Sequence, residues 1–221
     1  MRGGQRHRQA DRRGPPRPRD PGLRPRPGRG GPSRVSLSFD HVAIAARSLS
    51  EGADWLRARL GLDLQPGGRH PGLGTHNMLL SLGPGEYLEL IAPDPDSPDR
   101  PRWFGLDGFD GPPCVAGWVA RADPLTAPPG TDIATATRGD LSWRITLPRA
   151  GQMPRDGAQP MLIDWGTGPH PSDRLPDHGM RLARLTLPLD RLDLSDRRLM
   201  LTGAGTPLTL TLTRDGTQVT L

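Results

Sequence analysis

The sequence has no lysine, one cysteine and few aromatic residues. All 29 of its basic residues are arginine, and phenylalanine, tryptophan and tyrosine together make up 4% of its 221 residues. Because a single cysteine, Cys114, cannot form an internal disulfide, folding does not require an oxidising compartment, and we expect a cytoplasmic protein. No apolar run is long enough to cross a membrane, so we expect no membrane partner.

Apolar side chains are almost missing from the first 34 residues. Residues 1–34 contain eleven arginines and two aspartates, so their net charge is +9. Because the net charge of the whole chain is +5, the remaining residues carry about −4. We predict a disordered tail, 1–34, followed by a folded domain, 35–221. The tail is interpreted as a basic nucleic-acid arm, as a targeting peptide, or as residues upstream of the true start in a GC-rich bacterial genome. We favour the last interpretation or an inert tail, because the domain itself has no charge that favours nucleic acid.

Residues 39–93 have the pattern of one complete βαβββ unit. A helix is predicted to begin at Ser48 or Ser50, either of which can cap its first turn, and to end at Gly61. A Gly-Pro-Gly turn joins the last two strands of the unit. The predicted strands are 39–45, 78–82 and 86–92.

The alternation of side chains in the first and last of these strands brings two polar residues to one side. Val42 and Ile44 share the face that packs under the helix, so His41 projects from the opposite, concave face. Glu89 alternates with leucines in the same way. An imidazole and a carboxylate that face one cavity can bind a divalent metal ion or act as an acid–base pair. The alternative is that His41 only makes a hydrogen bond near the start of its strand and that Glu89 is exposed to solvent.

Three stretches of the chain resemble the vicinal oxygen chelate superfamily, in particular its glyoxalase-like branch. The stretches are Phe39-Asp-His-Val-Ala-Ile-Ala, Gly67-Gly-Arg-His-Pro-Gly-Leu-Gly-Thr-His-Asn and Glu86-Tyr-Leu-Glu-Leu-Ile-Ala. The resemblance implies an α+β fold in which paired βαβββ modules form an incomplete barrel. It also implies one metal ligand from the first strand and one from the fourth strand of each module. His41 and Glu89 occupy these positions in the first module, 35–93. The resemblance therefore implies that they bind a divalent ion such as Zn, Ni, Fe or Mn.

The second module, predicted at 114–166, departs from the family pattern. Prolines between residues 123 and 130 replace its helix, and its first strand offers no acidic or histidine ligand. Its last strand offers Asp164, which we predict as the third metal ligand, although neighbouring apolar residues compete for the cavity face. His170, just beyond this strand, is the alternative third ligand. A partial third module, 181–221, is assigned no chemistry, and a short helix is predicted near 196–201.

Five residues are predicted to contact the substrate. They are His70, His76, Asn77, Trp165 and His170. The first three lie in the Gly-rich segment, where glycines permit close backbone approach to a ligand. The alternative is that this segment only satisfies its own turns and leaves both of its histidines exposed. The connector 94–113 is long enough to pack over the barrel as a lid, or to be anchored there by Trp103.

The function that these features favour is that of a small-molecule enzyme with lyase, isomerase or dioxygenase-type chemistry. His41 and Glu89 are the predicted catalytic residues, as metal ligands or, without metal, as a base and its partner. The alternative is a non-catalytic protein that binds or sequesters a small molecule such as an antibiotic, since tryptophans can stack on a flat ligand. The expected partner is a small-molecule ligand, and homodimer formation is left open.

Overall fold

Two β-sheets and one α-helix form the fold in the computed structural model, which describes residues 35–149 and 151–221. The predictions for residues 1–34 lie outside this range. Two short 3₁₀ helices, Pro154–Gly157 and Pro171–Asp173, complete the regular structure. The elements are β1 Ser36–Ala45, α1 Leu49–Leu60, β2 Gln65–His70, β3 Thr75–Gly83, β4 Glu86–Pro93, β5 Cys114–Asp123, β6 Thr131–Arg138, β7 Leu141–Pro148, β8 Met161–Asp164, β9 Arg181–Leu187, β10 Leu199–Leu201, β11 Thr209–Arg214 and β12 Thr217–Thr220.

The larger sheet is a curled, mixed sheet of eight strands in the order β2-β3-β4-β1-β5-β8-β7-β6. Strand β1 runs parallel to β4, β5 runs parallel to β8, and the two halves meet where β1 pairs antiparallel with β5. The two halves therefore repeat one strand order about the β1–β5 junction. The predicted α+β fold with an incomplete barrel is confirmed.

Helix α1 is capped by Ser48, one of the two predicted caps, and ends at the predicted Gly61. The Ser48 hydroxyl accepts a hydrogen bond from the backbone N–H of Glu51, and Gly61 closes the helix with φ of 63°. Leu56 and Leu60 are buried against the convex face of the sheet. A Cβ at Gly52 would lie 2.3 Å from Cδ1 of Leu90, so only glycine lets the helix approach β4 this closely.

The smaller sheet, in the order β10-β9-β11-β12, packs on the same convex face as the helix. Its buried residues include Leu185 and Leu210, which join one apolar core with Trp118 of β5. The C-terminal sheet therefore covers the face where the second half of the barrel lacks a helix. The short helix predicted near 196–201 is wrong, because Leu199–Leu201 pairs parallel with β9 as a strand. No helix in the described part of the chain is long and apolar enough to cross a membrane.

A second apolar core fills the concave face of the large sheet. The segment between β4 and β5 closes one side of it, where Trp103, Phe104 and Leu106 are buried. The Trp103 indole N–H donates to Thr75 Oγ1 at 2.8 Å, and the buried Arg102 Nε donates to the Gly74 carbonyl at 2.7 Å. This connector is therefore packed into the barrel rather than draped over its surface.

Candidate functional site

The concave face encloses a cavity whose polar and apolar walls come from different halves of the sheet. The free volume at its centre is about 10 Å³, which is room for roughly one water molecule. The lining residues are His41, His70, Asn77, Tyr87, Glu89, Trp103, Arg138, Trp143, Ile145, Ile163 and Trp165. The first five come from β1 to β4, so the first half of the chain supplies most of the chemistry and the second half supplies mainly apolar walls.

His41 and Glu89 meet in this cavity because they lie on paired, parallel strands. The Ala43–Glu89 and His41–Tyr87 register places both side chains on the concave side. Each residue is 3% exposed, and His41 Nε2 lies 3.5 Å from Glu89 Oε2. The Tyr87 ring stacks on the His41 imidazole at a centroid distance of 4.4 Å. The imidazole is therefore fixed in direction, with its Nε2 aimed at the carboxylate.

A β-bulge brings Asp40 to the same side as its neighbour His41. Asp40 has no partner in β5, where the register shifts between Phe39 and His41. Such a bulge re-aims the extra residue. Asp40 is fully buried, and its Oδ1 lies 2.7 Å from His41 Nδ1. Its Oδ2 accepts hydrogen bonds from Arg121 Nη2 at 2.8 Å and from Trp165 Nε1 at 3.1 Å.

The other oxygen of Glu89 is held by a chain of hydrogen bonds that runs to Arg138. Asn77 Nδ2 donates to Glu89 Oε1 at 2.6 Å, and Arg138 Nη1 donates to Asn77 Oδ1 at 2.9 Å. Because guanidinium can only donate, this bond assigns the Asn77 oxygen to the Arg138 side. Asn77 Nδ2 also lies 3.2 Å from His70 Nε2, which then accepts, while His70 Nδ1 lies 2.9 Å from Thr75 Oγ1. This pattern assigns His70 as the neutral Nδ1–H tautomer.

The carboxylates decide the protonation of His41. Burial would lower the pKa of His41, but its hydrogen bonds with Asp40 and Glu89 outweigh burial and raise the pKa from 6.5 to about 9. Burial would likewise raise the pKa of Glu89, but the hydrogen bond and charge of His41 hold the pKa at about 2. At neutral pH the site therefore contains an imidazolium beside an ionised carboxylate.

Two further groups of the cavity stay neutral at pH 7. Burial lowers the pKa of His70 to about 4, although the charge of Glu89 opposes this change. Burial also raises the pKa of Tyr87 well above 10, and the charges of Asp40 and Glu89 act in the same direction. Since both groups are uncharged, they serve as hydrogen-bonding walls around the ionised pair.

Three of the predicted site residues, Asp164, His76 and His170, do not line the cavity. The Asp164 carboxylate binds the Arg144 guanidinium instead, while its neighbours Ile163 and Trp165 occupy the concave face. The structure therefore places the predicted third metal ligand outside the site, because the alternation of β8 favours the apolar residues. His76 alternates with the buried Thr75 and Asn77 and stands opposite Arg69 of β2.

His170 approaches the site from behind Asp40 rather than through the cavity. Its Nδ1 accepts from the backbone N–H of Ser172 at 3.2 Å, so its proton is on Nε2, which lies 3.4 Å from Asp40 Oδ2. Burial would raise the pKa of Asp40, but the imidazoles of His170 and His41 hold it below the usual range. Among the predicted substrate contacts, His70, Asn77 and Trp165 line the cavity itself.

Sequence reasoning missed four residues of the site: Asp40, Tyr87, Arg121 and Arg138. The alternation of Glu86–Pro93 could have identified Tyr87, since it shares a face with Glu89. Asp40 depends on a bulge, and Arg121 and Arg138 come from the second half of the sheet. Nothing in a single sequence shows that Arg121 reaches Asp40 or that Arg138 reaches Asn77.

A divalent metal ion is the cofactor that the family resemblance implies, and the donor set tests this implication. Two ligands about 2.1 Å from one ion lie about 3.4 Å apart at a tetrahedral angle, so the 3.5 Å separation of His41 Nε2 and Glu89 Oε2 is suitable. The hydrogen bond between His41 Nδ1 and Asp40 is of the kind that usually orients a metal-bound histidine. However, the described residues contain no group of three or more histidine, cysteine or acidic side chains that could hold an ion. The facing walls are apolar, so the residues present do not complete a metal site.

Comparison with known proteins gives a match to a family model. A model described as a glyoxalase-like domain matches residues 39–200, which include every polar residue of the cavity wall. A comparison with curated protein sequences found no match.

Several solved structures are similar to this chain at low identity. Methylmalonyl-CoA epimerase from Mycobacterium tuberculosis is 21% identical over 57% of this chain and 84% of its own, with a TM-score of 0.37. The Streptomyces coelicolor epimerase is 20% identical over 61% of this chain and 98% of its own, with a TM-score of 0.38. A hypothetical protein from Staphylococcus aureus is 11% identical over 83% and 85%, with a TM-score of 0.44. Likenesses of this level carry no information about reaction or substrate.

Proposed function

This chain belongs to the glyoxalase-like domain family, as its sequence predicts, and from that membership and the geometry of the cavity we propose an enzyme that acts on small carbonyl compounds. The proposed reaction removes a proton from a carbon next to a carbonyl group, as in isomerases and lyases. Glu89 is the proposed base, and His41 is the acid that supports the carbonyl oxygen. Both side chains contact the reacting atoms in this proposal.

One observation carries the proposal. Glu89 Oε1 is held by Asn77, whereas the nearest donor to the buried Glu89 Oε2 is His41 Nε2 at 3.5 Å, which is too long for a well-formed hydrogen bond. A buried carboxylate oxygen without a well-formed hydrogen bond is costly, and such groups are often kept for function. Across the gap, His41 supplies an N–H that is protonated up to a pH of about 9. The pair therefore offers a free basic oxygen and an acidic N–H to one reacting group.

The first step uses the proton on His41. A substrate carbonyl oxygen that enters between the two side chains accepts a hydrogen bond from His41 Nε2–H. The negative charge that develops on this oxygen is stabilised by the imidazolium, which Asp40 holds in place through Nδ1. Because Tyr87 stacks on the ring, the donor does not have to reorient during the reaction.

The second step uses Glu89, which becomes a stronger base when substrate binds. Its pKa of about 2 depends on the hydrogen bond and charge of His41, while burial alone would raise it. Once His41 donates its hydrogen bond to the carbonyl oxygen instead of to Glu89, burial has a larger effect and raises the pKa of Glu89. Glu89 then accepts the proton from carbon, and the C–H electron pair forms the enolate. The His41 imidazolium stabilises the negative charge on the enolate oxygen. Return of the proton completes an isomerisation, whereas loss of a leaving group completes a lyase reaction.

A divalent ion at His41 and Glu89 would polarise the same carbonyl oxygen, and dioxygenase-type chemistry would depend on such an ion. Either reaction requires ligands beyond these two residues. We therefore propose the reaction of the pair alone, and metal analysis of the purified protein separates the alternatives.

The tryptophans favour an enzyme over a protein that sequesters a flat ligand. Trp143 and Trp165 lie with ring centroids 5.3 Å apart at an angle of 42°, and Trp103 packs in the same way on Phe104. Since these rings fill the space between one another, they do not form an open slot for stacking. Their indoles instead support polar residues, as Trp165 does for Asp40.

Solvent exchange tests the proposal even while the product of the reaction is unidentified. Small aldehydes, ketones and 2-oxo acids are incubated with the full chain in D₂O, and loss of the C–H signal next to the carbonyl is followed by NMR. We expect exchange by the wild-type protein and its loss in Glu89→Gln, which keeps the shape of the side chain. Glu51→Gln is the matched control, because Glu51 pairs with Arg47 on the helix surface. Exchange that survives in Glu89→Gln, or that no compound shows with the wild-type protein, contradicts the proposal.

A further inference from the structure

The free volume of the cavity is about 10 Å³, so a substrate can enter only if a side chain of the wall moves. A groove of about 460 Å³ lies on the surface outside β2 and the turn between β6 and β7. Its lining includes Gln65, Gly67, Leu141, Pro171, Arg174 and Arg138. Arg138 also lines the cavity, and it is the residue shared by the two spaces. The Arg138 side chain is therefore the partition between the groove and the buried pair.

The backbone of β2 is shaped to let Arg138 and Asn77 reach each other. A Cβ at Gly68 would lie 2.6 Å from Cδ of Arg138, and one at Gly67 would lie 2.0 Å from Oδ1 of Asn77. The φ angle of Gly68 is +152°, which side chains rarely adopt, and the register of β2 shifts at this point. The two glycines thus leave the space that the guanidinium occupies.

The charge of Arg138 has no carboxylate partner among the described residues. Its hydrogen bond goes to the neutral amide oxygen of Asn77, and its guanidinium carbon lies 5.9 Å from the centre of the Trp143 ring. The nearest acidic residue in sequence, Asp140, is bound by Arg174, and Asp164 is bound by Arg144. A guanidinium with free donors at the mouth of a cavity is suited to a carboxylate, which it binds with two parallel hydrogen bonds.

We infer that Arg138 selects substrates that carry a carboxylate, which enters through the groove and takes the place of the Asn77 oxygen on the guanidinium. This inference rests on the proposed function, and it names the substrate class for the same site. Only the Asn77 amide stands between Arg138 and Glu89, with contacts of 2.9 Å and 2.6 Å on its two sides. The reacting carbon therefore lies two bonds from the carboxylate carbon, as in a 2-oxo acid, whose keto oxygen remains available to His41.

The arrangement also answers an electrostatic need. The ionised Glu89 is paired with the His41 imidazolium, and Asp40 behind that ring is paired with Arg121, so these groups leave no unpaired positive charge for an anionic substrate. Arg138 supplies such a charge on the side of the cavity where the substrate enters. Arg121 cannot do so, because it is bound to Asp40 on the far side of His41.

Calorimetric titration of the full chain tests the inference. The probes are pyruvate, 2-oxobutyrate and lactate, each compared with its neutral amide. We expect the acids to bind at least about tenfold more tightly than the amides, because charge-assisted hydrogen bonds are the stronger ones. Arg138→Gln should weaken acid binding about 10- to 100-fold and leave amide binding unchanged, and Arg138→Lys should fall between. Arg174→Gln is the matched control, since Arg174 lines the same groove but is bound to Asp140.

The outcomes separate this inference from the proposed function. If the wild-type protein binds none of the acids, or if Arg138→Gln binds them as tightly as the wild type, the inference is overturned. Glu89→Gln should still bind the acids while it loses proton exchange, which supports both proposals. If Glu89→Gln retains exchange while Arg138→Gln loses acid binding, the base is misassigned and the role of Arg138 stands.

Discussion

Removal of the His41 charge should change how stability depends on pH in a defined window. The pKa of this residue is about 9 in the folded protein and 6.5 in the reference state, a difference worth about 3 kcal/mol. Below pH 6.5 both states bind the proton, and the full contribution is present. Between pH 6.5 and 9 the unfolded chain loses its proton while the folded protein keeps it, so stability falls as pH rises. Above pH 9 the contribution is gone.

Other titratable groups with shifted pKa values act outside this window, so they do not obscure the effect of His41. The pKa of His70 is lowered to about 4, so His70 affects stability at acidic pH. The pKa of Tyr87 is raised well above 10 and that of Cys114 is raised above 9, so both act at more alkaline pH. The slope between pH 6.5 and 9 should therefore report mainly on His41.

Urea unfolding of the full chain at four or five pH values provides the assay. We expect the wild-type protein to lose about 3 kcal/mol of unfolding free energy between pH 6.5 and 9. His41→Gln should be less stable at pH 6.5 and should show a nearly flat profile across this range. Equal slopes for the two proteins would refute the idea that His41 is held as an imidazolium by its two carboxylates.

Three further predictions follow from individual contacts. Asp40→Asn should cost about 3–5 kcal/mol of unfolding free energy at pH 7, because it breaks a buried charge pair, and should lower the His41 pKa measured by NMR titration; an unchanged pKa would contradict the contact. Gly52→Ala should cost about 1–3 kcal/mol, because its Cβ meets Leu90 at 2.3 Å; a stabilised variant in thermal melts would refute this close approach. Protein purified without chelator should contain no stoichiometric divalent ion, and EDTA should leave proton exchange unchanged; a bound ion lost in Glu89→Gln would instead establish a metal site.

The part of the site that can be predicted from the sequence depends on regular alternation. His41 and Glu89 lie on two well-formed strands, and a period of two residues is enough to place both on the concave side. The helix boundaries are equally accessible, because Ser48 and Gly61 carry local capping chemistry. In each case a local rule and the global fold agree, so no tertiary information is needed.

The rest of the site depends on irregular backbone or on distant contacts. Asp40 reaches His41 and Trp165 only because a bulge interrupts β1 at that residue. The family resemblance predicts Asp164 there, but the alternation of side chains gives the concave face to the apolar Ile163 and Trp165. Arg138 reaches Asn77 across 61 residues of sequence and only through the two glycines of β2. The strand Leu199–Leu201 has the local pattern of a helix, and its pairing with β9 is set by tertiary packing.

The pH dependence of proton exchange tests the central claim most directly. If the imidazolium of His41 stabilises the enolate oxygen while Glu89 removes the proton, exchange should be level from about pH 5 to pH 8 and should fall about tenfold per pH unit above a pKa of about 9. The same fall should move to lower pH in Asp40→Asn. A rate that instead rises with pH between 6.5 and 9 would mean that neutral His41 is the active form, and it would contradict the assignment of the pair.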